Sequence, residues 1–255
     1  MTEAIWTITK QSDMHNNNIS LYNEDCMEVL KRLPDNSVDL IVTDPPYLIE
    51  KSSGGGSMGH KAMKVYDELD GKNLMNGFGE EVLQELVRVC KGVNIYLFCS
   101  KRQIPWLTHF FCEKHGCGLE VIVWEKTNPV PLCSNKWLND KELCLFFRKD
   151  AYCKPGCMAN ARTVFRYPIN QKDKKRYGHP TIKPLPIIER IVLNSSRPGD
   201  VVLDPFMGSG TTGVAAVSNG RSFIGCEIDR RYFDTARNRI NDSLALFNDS
   251  LAPLE

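Results

Sequence analysis

The chain has 255 residues, 42% hydrophobic and 25% charged, the balance of a soluble globular protein with room for one large α/β domain. No apolar run approaches the about 20 residues a membrane span needs, and residues 1–18 are polar without a signal-peptide core, so a cytoplasmic or, in a eukaryote, nuclear location is expected. The formal net charge is only +1, which by itself selects no partner.

In chain order, residues 19–22 read as a short strand and 26–32 as a helical turn or two stopped by Pro34. Residues 38–43 form a nearly continuous apolar run, as expected of a strand buried on both faces. In 79–91, Val82, Leu83, Leu86, Val87 and Cys90 recur at helical spacing, and Gly92 is expected to end that helix. Residues 93–98 read as a second buried strand, 104–115 as a helix, and 119–124 and 143–147 as further strands. A helix over 184–194 with Pro184 near its first turn, a strand over 200–203, a helix over 211–218, a strand over 222–226 and a helix over 230–247 complete the chain. This alternation predicts an α/β fold with a doubly wound, mostly parallel sheet.

Two stretches stand apart. Residues 51–76 hold Ser52-Ser53-Gly54-Gly55-Gly56-Ser57 and read as a mobile loop. Residues 128–180 are basic, punctuated by proline and weakly periodic, and read as an insert. From Lys126 to Lys183 there are 13 Lys+Arg against 4 Asp+Glu, a net +9, leaving −8 for the rest. Such asymmetry suits a polyanionic partner, although a solvated lysine-rich loop would look the same. The ten cysteines are scattered, several within apolar runs, and fit buried thiols better than disulfides. Neither Cys153 with Cys157 nor Cys112 with Cys117 has zinc-site spacing, so no metal is expected.

Two constellations carry chemistry. Asp204-Pro205-Phe206-Met207-Gly208-Ser209-Gly210-Thr211-Thr212-Gly213 follows a strand and opens a helix. Glycines there allow a tight turn and close approach of a ligand, and the helix start offers unpaired N–H groups. Glu227, after the next strand, stands where an acid would hold ribose hydroxyls, with Asp229 as a second candidate. No lysine follows the glycines, so this is not a phosphate-cradling loop; an adenosine-containing cofactor without bulky phosphates fits better. The second constellation, Asp44-Pro45-Pro46-Tyr47, directly follows the apolar strand. Its prolines stiffen the backbone around a carboxylate, a carbonyl and a ring, which is what a flipped base with an amino group requires. A proline-rich turn with Tyr47 in the core is the structural alternative.

Together the two motifs resemble those of the DNA amino-methyltransferases that modify adenine N6 or cytosine N4. Their order, with Asp44–Tyr47 first, the basic insert second and the Phe206–Gly210 loop last, resembles the β group of that family, the DPPY type. Asn23-Glu24-Asp25-Cys26, Trp124–Pro129 and His179–Pro184 have counterparts too, so the likeness runs from about residue 19 to residue 240 apart from 51–76 and much of the insert. The resemblance implies a seven-stranded-type methyltransferase sheet. Residues 19–127 would be its catalytic half, 128–180 a small target-recognition insert and 181–247 the half that binds S-adenosylmethionine.

It also implies roles. Asp204, Phe206, Gly208 and Gly210 would line the cofactor site, Ser209 and Thr211 would lie near the methionine carboxylate, and Lys183 would assist there. Glu227 would hold the ribose and Asp25 the adenine amino group of the cofactor. Asp44 and the Pro45 carbonyl would accept the two hydrogens of the target amino group, Pro46 would stiffen the turn, and Tyr47 would stack on the base. Lys172, Lys174, Lys175 and Arg176 would contact phosphates of duplex DNA, with Arg162 and Arg166 reaching base edges. A homodimer and a partner restriction endonuclease are compatible with the family. Members acting on cytosine more often carry Ser at position 44, which tilts the target to adenine N6. Cytosine N4, an RNA or protein-amide substrate, an inactive SAM- or DNA-binding module and, least of all, a nicotinamide oxidoreductase are the alternatives.

Overall fold

A computed structural model describes residues 6–11, 16–46, 78–131, 135, 137–178 and 181–251. Tyr47, the 51–76 loop and His179-Pro180 lie outside the described residues. Nine strands form one sheet: β1 (Trp6–Gln11), β2 (Asn16–Tyr22), β3 (Leu40–Thr43), β4 (Val93–Cys99), β5 (Gly118–Lys126), β6 (Lys141–Lys149), β7 (Val164–Tyr167), β8 (Val201–Asp204) and β9 (Ser222–Cys226). Their order is β1-β2-β9-β8-β3-β4-β6-β5-β7, with β1 and β6 antiparallel to their neighbours and the other pairings parallel.

The apolar runs are where the sheet is deepest. All four residues of β3 and all seven of β4 are buried, as burial on both faces requires. Alternate residues serve opposite cores: Leu40, Val42, Tyr96 and Phe98 face one, Ile41, Ile95 and Leu97 the other. The second core is roofed by α1 (Cys26–Arg32), α2 (Glu80–Val89) and α3 (Ile104–Thr108), the last running into a π-helical turn over His109–Lys114. A short helix, α4 (Gln171–Tyr177), buries none of its residues. The first core is roofed by α5 (Leu185–Ser195), α6 (Thr211–Val217) and α7 (Arg230–Leu251).

Strand β3 leads outward to β4 on one side, and β8 leads outward to β9 on the other. Where β3 and β8 lie side by side, Leu40 opposite Val202 and Ile41 opposite Leu203, the winding reverses. The crevice beyond the carboxyl ends of strands at such a reversal is where open α/β sheets bind ligands.

Seven adjacent strands, β2-β9-β8-β3-β4-β6-β5, make the expected sheet, and β1 and β7 add one strand at each edge. Two expectations are revised. The 128–180 segment is not set apart from the sheet: β6 lies between β4 and β5, and β7 pairs with β5. Off the sheet, the described part of that segment is reduced to its loops and α4. Gly92 does not end α2. Cys90 does, by turning extended at ψ 136°, and Gly92 instead lets β4 pass close to the end of β6, where a Cβ would stand 2.4 Å from the Asp150 carbonyl oxygen. Pro184, expected near the first turn of α5, is its N-cap. The nine described cysteines are unbridged, and no described helix is long and apolar enough to cross a membrane.

Candidate active site

Four adjacent strand ends build the cofactor side of the crevice. After β9, both Glu227 carboxylate oxygens are fixed by backbone donors, Oε2 by Gly208 N–H at 3.0 Å and Oε1 by Asp229 N–H at 2.8 Å. Glu227 N–H donates to the Tyr22 carbonyl at 3.0 Å, and Asn23 Nδ2 donates to the Glu227 carbonyl at 2.7 Å. The ends of β2 and β9 are thereby locked together. Exposed Asp25 accepts from Met27 N–H at 2.8 Å and caps α1. Carboxylates on neighbouring strand ends, beside a glycine loop whose residues 205–210 include no base, suit the hydroxyls and amino group of a nucleoside better than a pyrophosphate. The residues present therefore fit an adenosine cofactor.

The loop itself is braced from behind. Gly210 sits at φ +79°, the left-handed region, at the N-cap of α6. The buried hydroxyls of Ser209 and Thr211 turn toward Arg239 of α7, whose Nη1 donates to the Ser209 carbonyl at 2.6 Å, to Ser209 Oγ at 3.0 Å and to Thr211 Oγ1 at 3.4 Å. Phe206 packs with Phe78, ring centres 6.0 Å apart, and Phe78 with Trp106 at 5.3 Å.

Asp204 is a pivot between the two halves. Its Oδ1 accepts from Thr43 Oγ1 at 2.8 Å and from Phe206 N–H at 3.1 Å. Burial lifts its carboxyl to about 7, over the opposing pull of hydrogen bonds from Thr212, Thr43 and Phe206 N–H and with a small added push from Asp44.

Asp44 and Pro45 emerge from β3 at the same crevice. Gln103 Nε2 donates to the Pro46 carbonyl at 3.4 Å, and Gln103 Oε1 accepts from Ser100 N–H and Oγ, both at 2.9 Å. The turn after β3 is thus tied to the turn after β4. Asp44 Oδ2 is ion-paired with Lys183 Nζ. Lys183 also meets Glu142 Oε2 at 3.2 Å, and Lys126 Nζ meets Glu142 Oε1 at 2.9 Å. Lys183 lies over the Phe98 ring, 4.9 Å from its centre. Burial opposes its charge, but Asp44 and Glu142 hold the ammonium above its usual range. Burial likewise opposes the charge on Glu142, and Lys183 and Lys126 outweigh it, holding the carboxyl down to about 2. Lys183 was expected at the methionine end of a cofactor; its partners here are the Asp44 and Glu142 carboxylates.

The expected DNA contacts separate. Lys172, Lys175 and Arg176 are exposed on α4, whereas Lys174 is half-buried beside the Lys183 cluster, with burial lowering its pKa. Arg166 Nε pairs with Glu125 at 3.0 Å on β5 and stays exposed. Arg162 is not brought to the crevice. It lines a cavity of about 470 Å³ with Gly118, the first residue of β5, and Lys149, the last of antiparallel β6, and so lies toward the amino ends of the parallel strands, away from the crevice. Sequence reasoning missed Glu142 and Arg239. Glu142 had a faint signal, as one of four acids in the basic segment. Arg239 had another, an arginine among the buried Phe233, Ala236 and Ile240 of one helix.

The described residues hold no His/Cys/Asp/Glu cluster able to bind a metal. A family profile described as DNA methylase, for the N6 and N4 enzymes, matches residues 38–238, and the chain belongs to that family. It is 32% identical over 247 residues to the Type II methyltransferase M.HinfI of Haemophilus influenzae, covering 86% of this chain and 67% of that protein. It is 27% identical to the Type II methyltransferase M2.MboI of Moraxella bovis, covering 88% of each. The solved complex of M1.HpyAVI with SAM superposes with a TM-score of 0.63 at 29% identity, covering 88% of this chain and all of that one.

Proposed function

We propose that this chain transfers the methyl group of S-adenosylmethionine to the N6 amino group of adenine in DNA. DNA methylation with S-adenosylmethionine is supported by the family and by relatives named as Type II methyltransferases. Adenine N6 is the finer reading, and the observation that carries it is Asp44, a carboxylate at the carboxyl end of β3 with Lys183 as its counter-ion. Cytosine N4 is its rival.

Bound S-adenosylmethionine supplies an electrophilic methyl on a sulfonium. The chain does the rest by placement. Glu227 and Asp25 hold the nucleoside hydroxyls and amino group, and the Arg239-braced loop fixes the other end. Asp44 and the Pro45 carbonyl accept the two amino hydrogens of a base taken from the stack. An aromatic amine is a weak nucleophile because its lone pair is delocalised into the ring; accepting both hydrogens draws the nitrogen toward tetrahedral geometry and localises that pair. A lysine against Asp44 suits this acceptor role better than that of a strong base, since the ammonium favours the charged carboxylate. Tyr47 would stack on the base, and the exposed cations of α4 would hold phosphates. Part of a restriction-modification pair is the biological setting that the relatives' names support.

The test is to incubate the protein with unmethylated DNA and S-adenosylmethionine and identify methylated nucleosides by mass spectrometry, with Asp44→Ala alongside. N6-methyladenine from wild type alone is expected. N4-methylcytosine would overturn the target, and no methylated nucleoside would overturn the reading.

A further inference from the structure

We infer that Arg239 and Tyr177 form a strut through which DNA held on α4 and cofactor held on the glycine loop strengthen each other's binding. The inference rests on the proposed function and adds to it a positioning pair that acts between the two sites.

Arg239 reaches in two directions. One arm of its guanidinium holds the Ser209 carbonyl and the hydroxyls of Ser209 and Thr211, at 2.6, 3.0 and 3.4 Å. Its face lies over the Tyr177 ring, 4.4 Å from the ring centre. Tyr177 is the last residue of α4, the helix that carries Lys172, Lys175 and Arg176 to the surface. Arginine is 8% exposed here, and a buried cation needs its partners. Burial pulls its pKa below the usual range, and Tyr177 and Asp173, both of α4, pull it back.

The helix α4 has little hold of its own. None of its residues is buried, and it is seven residues long, too short to be stable by itself. Half-buried Lys174 lies near the Lys126, Glu142 and Lys183 cluster. The helix therefore spans from the catalytic cluster to the back of the cofactor loop. Phosphates that order α4 fix the Tyr177 ring, the ring fixes the guanidinium, and the guanidinium fixes the loop. A cofactor that orders the loop sends the same constraint outward, because coupling between two sites is reciprocal.

Affinity for S-adenosylhomocysteine, a non-reacting probe, would be measured by calorimetry with and without unmethylated plasmid DNA, for wild type and Tyr177→Leu. Tyr177 is part-exposed on a helix that buries none of its residues, so leucine there leaves the core intact. Wild type is expected to bind the probe about five- to tenfold tighter with DNA. Tyr177→Leu should lose most of that gain, whatever its affinity without DNA. Arg239→Met should lose the gain as well and weaken the probe even without DNA. Equal gains in wild type and Tyr177→Leu, or no gain in wild type that binds both ligands, would overturn the strut alone. Failure of wild type to bind the probe or DNA at all would overturn the proposed function and the strut with it.

Discussion

Asp204 and Glu142 are both buried carboxyls, yet their surroundings push them in opposite directions. Asp204 has neutral hydroxyl and amide donors around it and no cation among the causes of its shift, so burial dominates and its carboxyl titrates at about 7 rather than 3.8. Glu142 lies between Lys183 and Lys126, and their attraction outweighs burial, leaving it at about 2. The consequences for stability have opposite signs. Between about pH 4 and pH 7 the folded chain holds a proton on Asp204 that the unfolded chain has lost, so stability falls as pH rises through that window. Glu142 adds stability above about pH 4.5 that is lost as pH falls toward 2. Urea denaturation of wild type from pH 4.5 to 7 should show a decline of up to about 1.4 kcal/mol per pH unit from Asp204. Asp204→Asn should flatten it, and parallel slopes in the two proteins would refute the assignment. None of this was legible in the sequence. Asp204 could be placed at a strand end, but whether a lysine or a threonine would meet it depends on Thr43, 161 positions away.

At the scale of elements, the glycine loop is held by packing as much as by its own turn. A Cβ on Gly210 would stand 2.8 Å from the Ala236 Cβ and 3.0 Å from its Cα, besides being strained at φ +79°. The residue thus sets how closely α7 approaches the start of α6. Gly210→Ala is expected to cost about 2 kcal/mol, from overpacking and from the left-handed backbone together. Denaturant unfolding would measure it, and a loss below about 0.5 kcal/mol would show that α7 can shift aside. The turn itself was readable, because strand, glycines, helix, strand and acid follow in order. Its reason was not: Ala236 lies beyond the next strand, on another helix. Strands behaved similarly. The runs at β3 and β4 announced themselves by nearly continuous apolar sequence, whereas β1, Trp-Thr-Ile-Thr-Lys-Gln, is too polar to stand out and is held by pairing with β2. The position of β6 between β4 and β5 is non-local, and no periodicity within 128–180 could reveal it.

For the whole molecule, a net charge of +1 conceals a basic segment of +9 on a body of −8, and the fold decides which of those cations can meet a polyanion. Lys126, Lys183 and Lys174 are occupied in or beside the buried cluster with Glu142. Arg162 lies toward the amino ends of the parallel strands, away from the crevice, and Arg166 is paired with Glu125. Of the residues expected to contact DNA, Lys172, Lys175 and Arg176, exposed on one helix, are left as the best-placed phosphate contacts. Each contact adds about 0.9 to the slope of log affinity against log salt. Replacing all three with alanine should therefore reduce the slope's magnitude by about 2 to 3, while Arg162→Ala should leave it where it was. Fluorescence anisotropy over a salt series reads both. An unchanged slope in the triple variant would place the phosphates elsewhere on the molecule and would remove the means by which DNA could act on Tyr177 and the cofactor loop behind it.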